Sequence, residues 1–103
     1  MAWRVTWSEH AWDNVERQAA YIEQDSPRYA AALIREARDA ARSLRQFPNR
    51  GRIVPEENNP IIRELFVFHS YRMLYEVLAY KHEVHILAFV HGARDLAKAL
   101  DEG

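Results

Sequence analysis

The sequence predicts an α+β fold in which an N-terminal strand and an antiparallel αα-hairpin precede a three- to four-stranded antiparallel sheet. The spacing of the apolar residues carries this prediction. Up to Phe47, apolar side chains recur at intervals of three and four residues, the period of an amphipathic helix. After Pro60, large apolar and polar side chains alternate, the period of a strand. Helices followed by a run of strands are typical of α+β domains.

The first two elements are a short strand at residues 3–7 and a helix at residues 9–24. Large and polar side chains alternate in the strand. Ser8 is placed to cap the helix, and Trp7 and Trp12 are spaced to pack as a hydrophobic staple. The apolar residues of the helix form one stripe: Trp12, Val15, Ala19 and Ile22.

A second helix follows almost at once. Ser26 is its predicted cap, and Pro27 suits its first turn. Its stripe is the longest in the sequence and consists of Ala30, Leu33, Ala37, Ala40, Leu44 and Phe47. Because so few residues separate the two helices, they must fold back antiparallel.

The second half of the chain is predicted to form a sheet. A short strand at Ile53–Val54 is followed by strands at residues 61–68, 71–78 and 84–91, which are rich in β-branched and aromatic residues. A short helix is expected around Asp95–Leu100.

Strict alternation divides the last strand into two faces. Val84, Ile86, Ala88 and Val90 lie on one face, and His85, Leu87, Phe89 and His91 lie on the other. One face of an antiparallel sheet usually packs on the core. The other face here mixes leucine and phenylalanine with charged residues, so we expect an open groove for a partner.

Composition limits the function classes. The chain has 103 residues, which suits one domain spanning 1–103, and it has no cysteine for a disulfide or a thiolate metal site. No stretch resembles a signal peptide or a membrane span, so we expect a cytoplasmic protein without a metal or a cofactor. The formal net charge of −1 argues against a general nucleic-acid binder. Twelve of the 14 basic residues are arginine, which recognises carboxylates and phosphates well.

Each candidate residue also has a structural interpretation. Arg63 and Arg72 can form cross-strand ion pairs with Glu64, Glu76 or a neighbour, and Arg94 can pair locally with Asp95. Strict alternation places His85 and His91 on one face, but about 20 Å apart along the strand, which excludes a shared metal site.

Seven segments occur in a characteristic order. They are Trp7-Ser8, Tyr21-Ile22, Asp25-Ser26-Pro27, Phe47-Pro48-Asn49-Arg50-Gly51-Arg52, Arg63-Glu64-Leu65, Tyr71-Arg72-Met73-Leu74-Tyr75 and His91-Gly92-Ala93-Arg94-Asp95. Together they resemble the RelE/ParE superfamily of toxins from bacterial toxin–antitoxin operons. The resemblance covers nearly the whole chain, and its specificity lies in the order and spacing of the segments.

The superfamily has two functional branches. RelE-like members cut messenger RNA on the ribosome, whereas ParE-like members poison DNA gyrase. The Tyr71–Tyr75 and His91–Asp95 segments look more like the ParE branch. The resemblance therefore implies a gyrase-directed toxin that a cognate antitoxin neutralises, as a homodimer or a toxin–antitoxin hetero-oligomer. The expected partner contacts are Arg63, Arg72, Leu74, Leu87, Phe89, His91 and Arg94.

An mRNA interferase that binds the ribosome and mRNA is the alternative. Its phosphate-binding cations would be Arg52, Arg63 and Arg94, and His91 would transfer the proton. RelE-like enzymes typically also carry lysines on the strands, but the lysines here lie in a predicted turn and in the tail. A third alternative is an inactive homologue that only binds an antitoxin.

Overall fold

The computed structural model of the protein describes residues 2–92. Its elements are β1 (Arg4–Trp7), α1 (Glu9–Glu23), α2 (Pro27–Ser43), β2 (Arg52–Ile53), β3 (Ile62–Val67), β4 (Tyr71–Leu78), a 3-10 turn (Ala79–Lys81) and β5 (Glu83–His91). The predicted α+β class and element order are confirmed. The expected helix at residues 95–100 and the candidate Arg94 lie outside the described residues.

The strands form one sheet in the order β1-β5-β4-β3-β2. Neighbouring strands run antiparallel except that β1 runs parallel to β5, with Arg4 opposite Glu83. The four strands β2 to β5 form the predicted antiparallel sheet, and β1, for which no partner was predicted, joins it in parallel, so the whole sheet is mixed. Parallel neighbours need a long connection, which the helices and the other strands provide here.

The predicted helix caps are confirmed. The Ser8 hydroxyl oxygen accepts a hydrogen bond from the Ala11 amide at 3.0 Å, and the Ser26 hydroxyl oxygen accepts one from the Tyr29 amide at 3.2 Å. The rings of Trp7 and Trp12 meet edge to face with centroids 5.1 Å apart, so they form the predicted staple. No helix among the described residues has the length and apolar character needed to cross a bilayer.

The second helix is shorter than its apolar stripe predicted. It ends at Ser43, and the amides of Leu44 and Arg45 make tighter bonds three residues back. Leu44 is fully buried, whereas Phe47 is 63% exposed. The prediction that Phe47 completes the buried stripe was therefore wrong, because the chain has already left the helix there.

Both helices pack on one face of the sheet, which we call the helix face. The main core lies between these layers. Its fully buried large side chains are Val15, Leu33, Leu44, Met73, Tyr75, Val84, Ile86 and Phe89.

A β-bulge at Leu87 changes which residues of β5 reach this core. Leu74 pairs with Ala88 and Tyr75 pairs with Ile86, so Leu87 has no partner in β4. After the bulge the alternation is inverted. Phe89 consequently joins the core on the helix face, while Ala88 joins a cluster on the opposite face. The strict alternation predicted for β5 was wrong beyond this point.

Asn14 on α1 satisfies the backbone next to the bulge. This side chain is buried, and its Oδ1 atom accepts a hydrogen bond from the Phe89 amide at 3.1 Å. A buried amide without an acceptor is costly, so Asn14 links the first helix to the irregular part of β5.

We expect Asn14→Ala to lower the free energy of unfolding by about 1–3 kcal/mol, because the Phe89 amide would lose its acceptor. Urea unfolding measures this change. Glu16→Ala, at an exposed position of the same helix, is the control. Equal stability of the two variants would show that the Asn14 bond does not support the bulge.

Candidate functional site

The sheet face turned away from the helices, here called the second face, is partly filled by the chain itself. Val54 packs there against Leu74, Ala88 and Val90, and all four side chains are buried. The Val54 amide donates to the Ile62 carbonyl at 3.3 Å, which fixes the segment after β2 over this face. The predicted open groove was therefore wrong for this part of the sheet.

Four charged residues on and beside the second face form a network, here called the Glu64 network. It consists of Arg52, Glu56, Glu64 and Arg72. The Glu64 side chain is fully buried, and that of Arg72 is only 7% exposed. Arg72 Nε donates to Glu64 Oε1 at 2.6 Å, and Arg52 Nε donates to Glu64 Oε2 at 2.5 Å. The Arg72 amino groups also bind both carboxylate oxygens of Glu56, at 3.1 and 3.0 Å.

The charges of the network balance one another. Two guanidinium groups face two carboxylates, so no charge is buried without a partner. The hydrogen bond to Glu56, assisted by Glu64, raises the pKa of Arg72, and the same bond lowers the pKa of Glu56. Arg72 therefore forms a cross-strand ion pair with Glu64, which is the structural interpretation predicted for it.

Arg52 also takes part in the exposed end of the second face. Its guanidinium lies over the Phe66 ring, 5.4 Å from the centroid. The Phe66 ring is 57% exposed. Arginine and phenylalanine are both enriched at protein–protein interfaces.

Arg63 lies on the helix face, where it stabilises the loop before β2. Its Nη1 atom donates to the Gly51 carbonyl at 2.7 Å and to the Asn49 carbonyl at 3.3 Å. The hydroxyl of Tyr75 accepts from the Gly51 amide at 2.9 Å and donates to the Pro48 carbonyl at 2.8 Å. A Cβ atom at Gly51 would lie 2.5 Å from that hydroxyl, so the close approach requires glycine.

His91 lies at the other end of the helix face. It pairs with Tyr71, and the two rings meet edge to face at 5.5 Å. Arg63 is opposite Tyr75. Four residues of strand separate these two rows, a distance of about 13 Å. His91 and Arg63 are therefore too far apart to act on one phosphate group.

Burial raises the pKa of Tyr71 and of Tyr75. A phenol with a raised pKa stays protonated near neutral pH, so neither is prepared to act as a general base.

The remaining predicted contacts divide by exposure. Leu74 lies on the second face as predicted, but it is fully buried. Phe89 was predicted on the open face and instead lies in the core on the helix face, 1% exposed. A partner cannot touch either side chain without displacing its neighbours. Leu87 is half-buried at the bulge and His91 is exposed.

The two histidines of β5 do not share a face. His85 precedes the bulge and lies between two carboxylates, 3.3 Å from Glu76 and 2.9 Å from Glu83. His91 follows the bulge and faces Tyr71. Residues 2–92 contain no group of three or more side chains suited to hold a metal ion.

The sequence interpretation missed Glu56 and Phe66, and it named Glu64 only as one possible cross-strand partner of Arg63 and Arg72. Glu64 stood in the quoted Arg63-Glu64-Leu65 segment, and alternation alone places it on the face opposite Arg63. Its partner Arg72 depends on the β3–β4 register, which sets Phe66 opposite Arg72. The available signal was therefore the presence of opposite charges on neighbouring predicted strands. The sequence did not show which of these charges pair.

We expect Glu64→Ala to destabilise the protein by about 3–5 kcal/mol, because it removes a partner of a buried arginine. Chemical unfolding measures the loss, and Glu57→Ala is the control. The double variant Glu64→Leu/Arg72→Leu should recover most of the stability, because it removes the buried charge with its partner. A loss below about 1 kcal/mol for Glu64→Ala, the size typical of a surface pair, would contradict the buried network.

The lowered pKa of Glu56 predicts an acid-sensitive contribution to stability. A carboxyl whose pKa is depressed by folding stabilises the protein above its ordinary value of 4.5, and this contribution disappears as the pH falls through the folded pKa. Glu56→Gln should therefore be less stable than the parent at pH 7, with the difference shrinking toward pH 3. Thermal unfolding against pH measures it, with Glu57→Gln as the control. A difference that does not change with pH would contradict the Glu56–Arg72 pair.

Solved structures with similar folds include three toxins or toxin–antitoxin systems. The first is a chromosomal ParDE toxin–antitoxin system from P. aeruginosa, with a TM-score of 0.69 and 18% identity over 87% of this chain and 96% of the other. The toxin–antitoxin complex RelBE2 from Mycobacterium tuberculosis has a TM-score of 0.59 and 20% identity, over 88% and 99%. A mutant of the E. coli toxin RelE in the free state has a TM-score of 0.56 and 15% identity, over 99% and 98%.

These identities establish a shared fold. None of the curated proteins matches the sequence significantly. The family model for the ParE toxin of the type II toxin–antitoxin system parDE, however, matches residues 5–96. That match spans most of the sequence and includes all five strands and both helices except the first residue of β1. The chain therefore belongs to the ParE toxin family of type II toxin–antitoxin systems.

Proposed function

We propose that this toxin acts on DNA gyrase, that a cognate antitoxin neutralises it, and that it does not cut messenger RNA. The observation that carries the choice of target is the position of the candidate cations. Arg52 lies on the second face and Arg63 on the helix face. Side chains on opposite faces of a sheet cannot bind one phosphate group together.

The chemistry of RNA cleavage adds a second argument. Cations must approach the reacting phosphate, and a proton-transfer group must lie within hydrogen-bonding distance of the attacking or leaving oxygen. Arg52 is bound to Glu64, and Arg63 is bound to backbone carbonyls. His91 lies about 13 Å along the sheet from Arg63. The described residues therefore favour an activity directed at a protein.

The antitoxin is proposed to use Phe66 and Arg52 as its anchor. Two of the structurally similar systems carry an antitoxin in their descriptions. Phe66 offers exposed ring area, and Arg52 offers a half-exposed guanidinium held in place by Glu64. An antitoxin segment with an apolar and an acidic side chain would match both groups. The predicted contacts Leu74 and Phe89 are not part of this proposal, because they are buried.

We expect the purified toxin to inhibit supercoiling by DNA gyrase and to leave the message pattern of induced cells unchanged. His91→Ala should retain this inhibition, because the imidazole performs no proton transfer. Phe66→Ala should also inhibit gyrase but escape neutralisation by the antitoxin encoded beside the toxin gene. Glu16→Ala is the control for both variants.

Two results would contradict the proposal. Cleaved messages that disappear with His91→Ala would make the chain an mRNA interferase. Tight antitoxin binding without growth inhibition or gyrase inhibition would make it an inactive homologue.

A further inference from the structure

The strand β1 forms one edge of the sheet. Among residues 2–92, β1 pairs only with β5, so its other edge carries no strand. The amides of Arg4 and Ser8 donate toward β5, to the carbonyls of His82 and Ile86. Because the direction alternates along a strand, the N–H and C=O groups of Val5 and Trp7 point toward the free edge.

A groove runs beside this edge. It has a volume of about 240 Å³ and is lined by Val5, Trp7, Arg38, Ala41, Arg42 and Arg45; we call it the β1 groove. The Trp3 amide donates to the Arg45 carbonyl at 2.8 Å, which joins the turn after α2 to the residue before β1. This backbone hydrogen bond therefore fixes the two walls of the groove relative to each other at one end.

The wall contributed by α2 is strongly basic. Arg38 and Arg42 are four residues apart on one side of α2, Arg45 follows in the turn after the helix, and all three are exposed. Arg42 has one acidic neighbour, Asp39, at 3.4 Å. Arg38 lies over the ring of Trp12 in α1, 5.2 Å from the centroid, and Trp12 in turn contacts Trp7 of β1.

The dimensions fit an extended chain. Arg38 and Arg42 are about 6 Å apart along the axis of α2. Side chains on one face of a strand recur about every 6.8 Å, so two successive side chains on that face can meet these two arginines. The free backbone groups of β1 supply the hydrogen bonds of strand addition, and the arginines supply the charge that selects its side chains.

We infer that the β1 groove binds an extended, acidic segment of a partner protein, which adds to the sheet as a strand beside β1. Its carboxylates on the helix side meet Arg38, Arg42 and Arg45, and its intervening apolar side chains lie on the opposite face of the sheet. A second copy of this chain does not fit, because two β1 grooves would bring their arginines together. Duplex DNA would leave the free backbone groups of β1 unused. This site is separate from the proposed Phe66 anchor.

The test uses a short capped peptide in which glutamate alternates with valine. NMR should show that the Val5 and Trp7 amides shift and become protected from hydrogen exchange. The same peptide with N-methylated alternate amides should not protect them, because it cannot add as a strand. The lysine counterpart should not bind.

A charge reversal provides the matched comparison. Arg38→Glu/Arg42→Glu should weaken peptide binding at least about tenfold, which corresponds to about 1.4 kcal/mol. Arg17→Glu/Arg28→Glu makes the same change in net charge at exposed positions of the hairpin that do not line the groove, and it should bind nearly as well as the parent.

Three outcomes would overturn the inference. Equal weakening by both reversals, without protection of Val5 and Trp7, would show general charge attraction. Displacement of the peptide by a short DNA duplex that binds more tightly would identify a nucleic-acid surface. Protection of the same amides in the protein alone, accompanied by dimerisation, would identify a contact between two copies.

Discussion

A buried carboxylate between two guanidinium groups determines the character of the second face. Glu64 is fully buried and binds Arg52 and Arg72 at once, and Arg72 in turn binds Glu56. Such a group is stable only while its partners stay in place. The network therefore joins β2, β3 and β4 to the loop between β2 and β3, which carries Glu56. Phe66 remains as an exposed apolar side chain nearby. Arg52, one of the cations that the mRNA interferase alternative would use, binds the Glu64 carboxylate.

The bulge at Leu87 has a comparable effect on the helix face. It inverts the direction of the side chains that follow, so Phe89 fills the core beneath α1 and His91 faces Tyr71. Asn14 supplies the acceptor that the Phe89 amide needs. The same irregularity separates His91 from His85, which remains on the second face. Core packing and the distribution of candidate catalytic groups thus have one structural cause.

The elements with a local signal could be predicted, and those that depend on pairing could not. Ser8 and Ser26 cap the helices as expected, because capping requires only neighbouring residues. The parallel partner of β1 is distant in sequence, and nothing local marks it. The bulge at Leu87 contains no glycine or proline that would have indicated it. The partnership of Glu64 with Arg72 follows from strand register, which alternation leaves undetermined.

The central claim is that Arg52, Arg63 and Arg72 are structural cations and do not form a phosphate-binding site. The most direct measurement is an NMR titration that follows the guanidinium N–H signals of these three arginines while a short single-stranded RNA is added. We expect all three signals to keep their positions, because protein acceptors already occupy the guanidinium groups. A joint, saturable shift of Arg52 and Arg63 at physiological salt would show that they bind one phosphate group and would contradict this account.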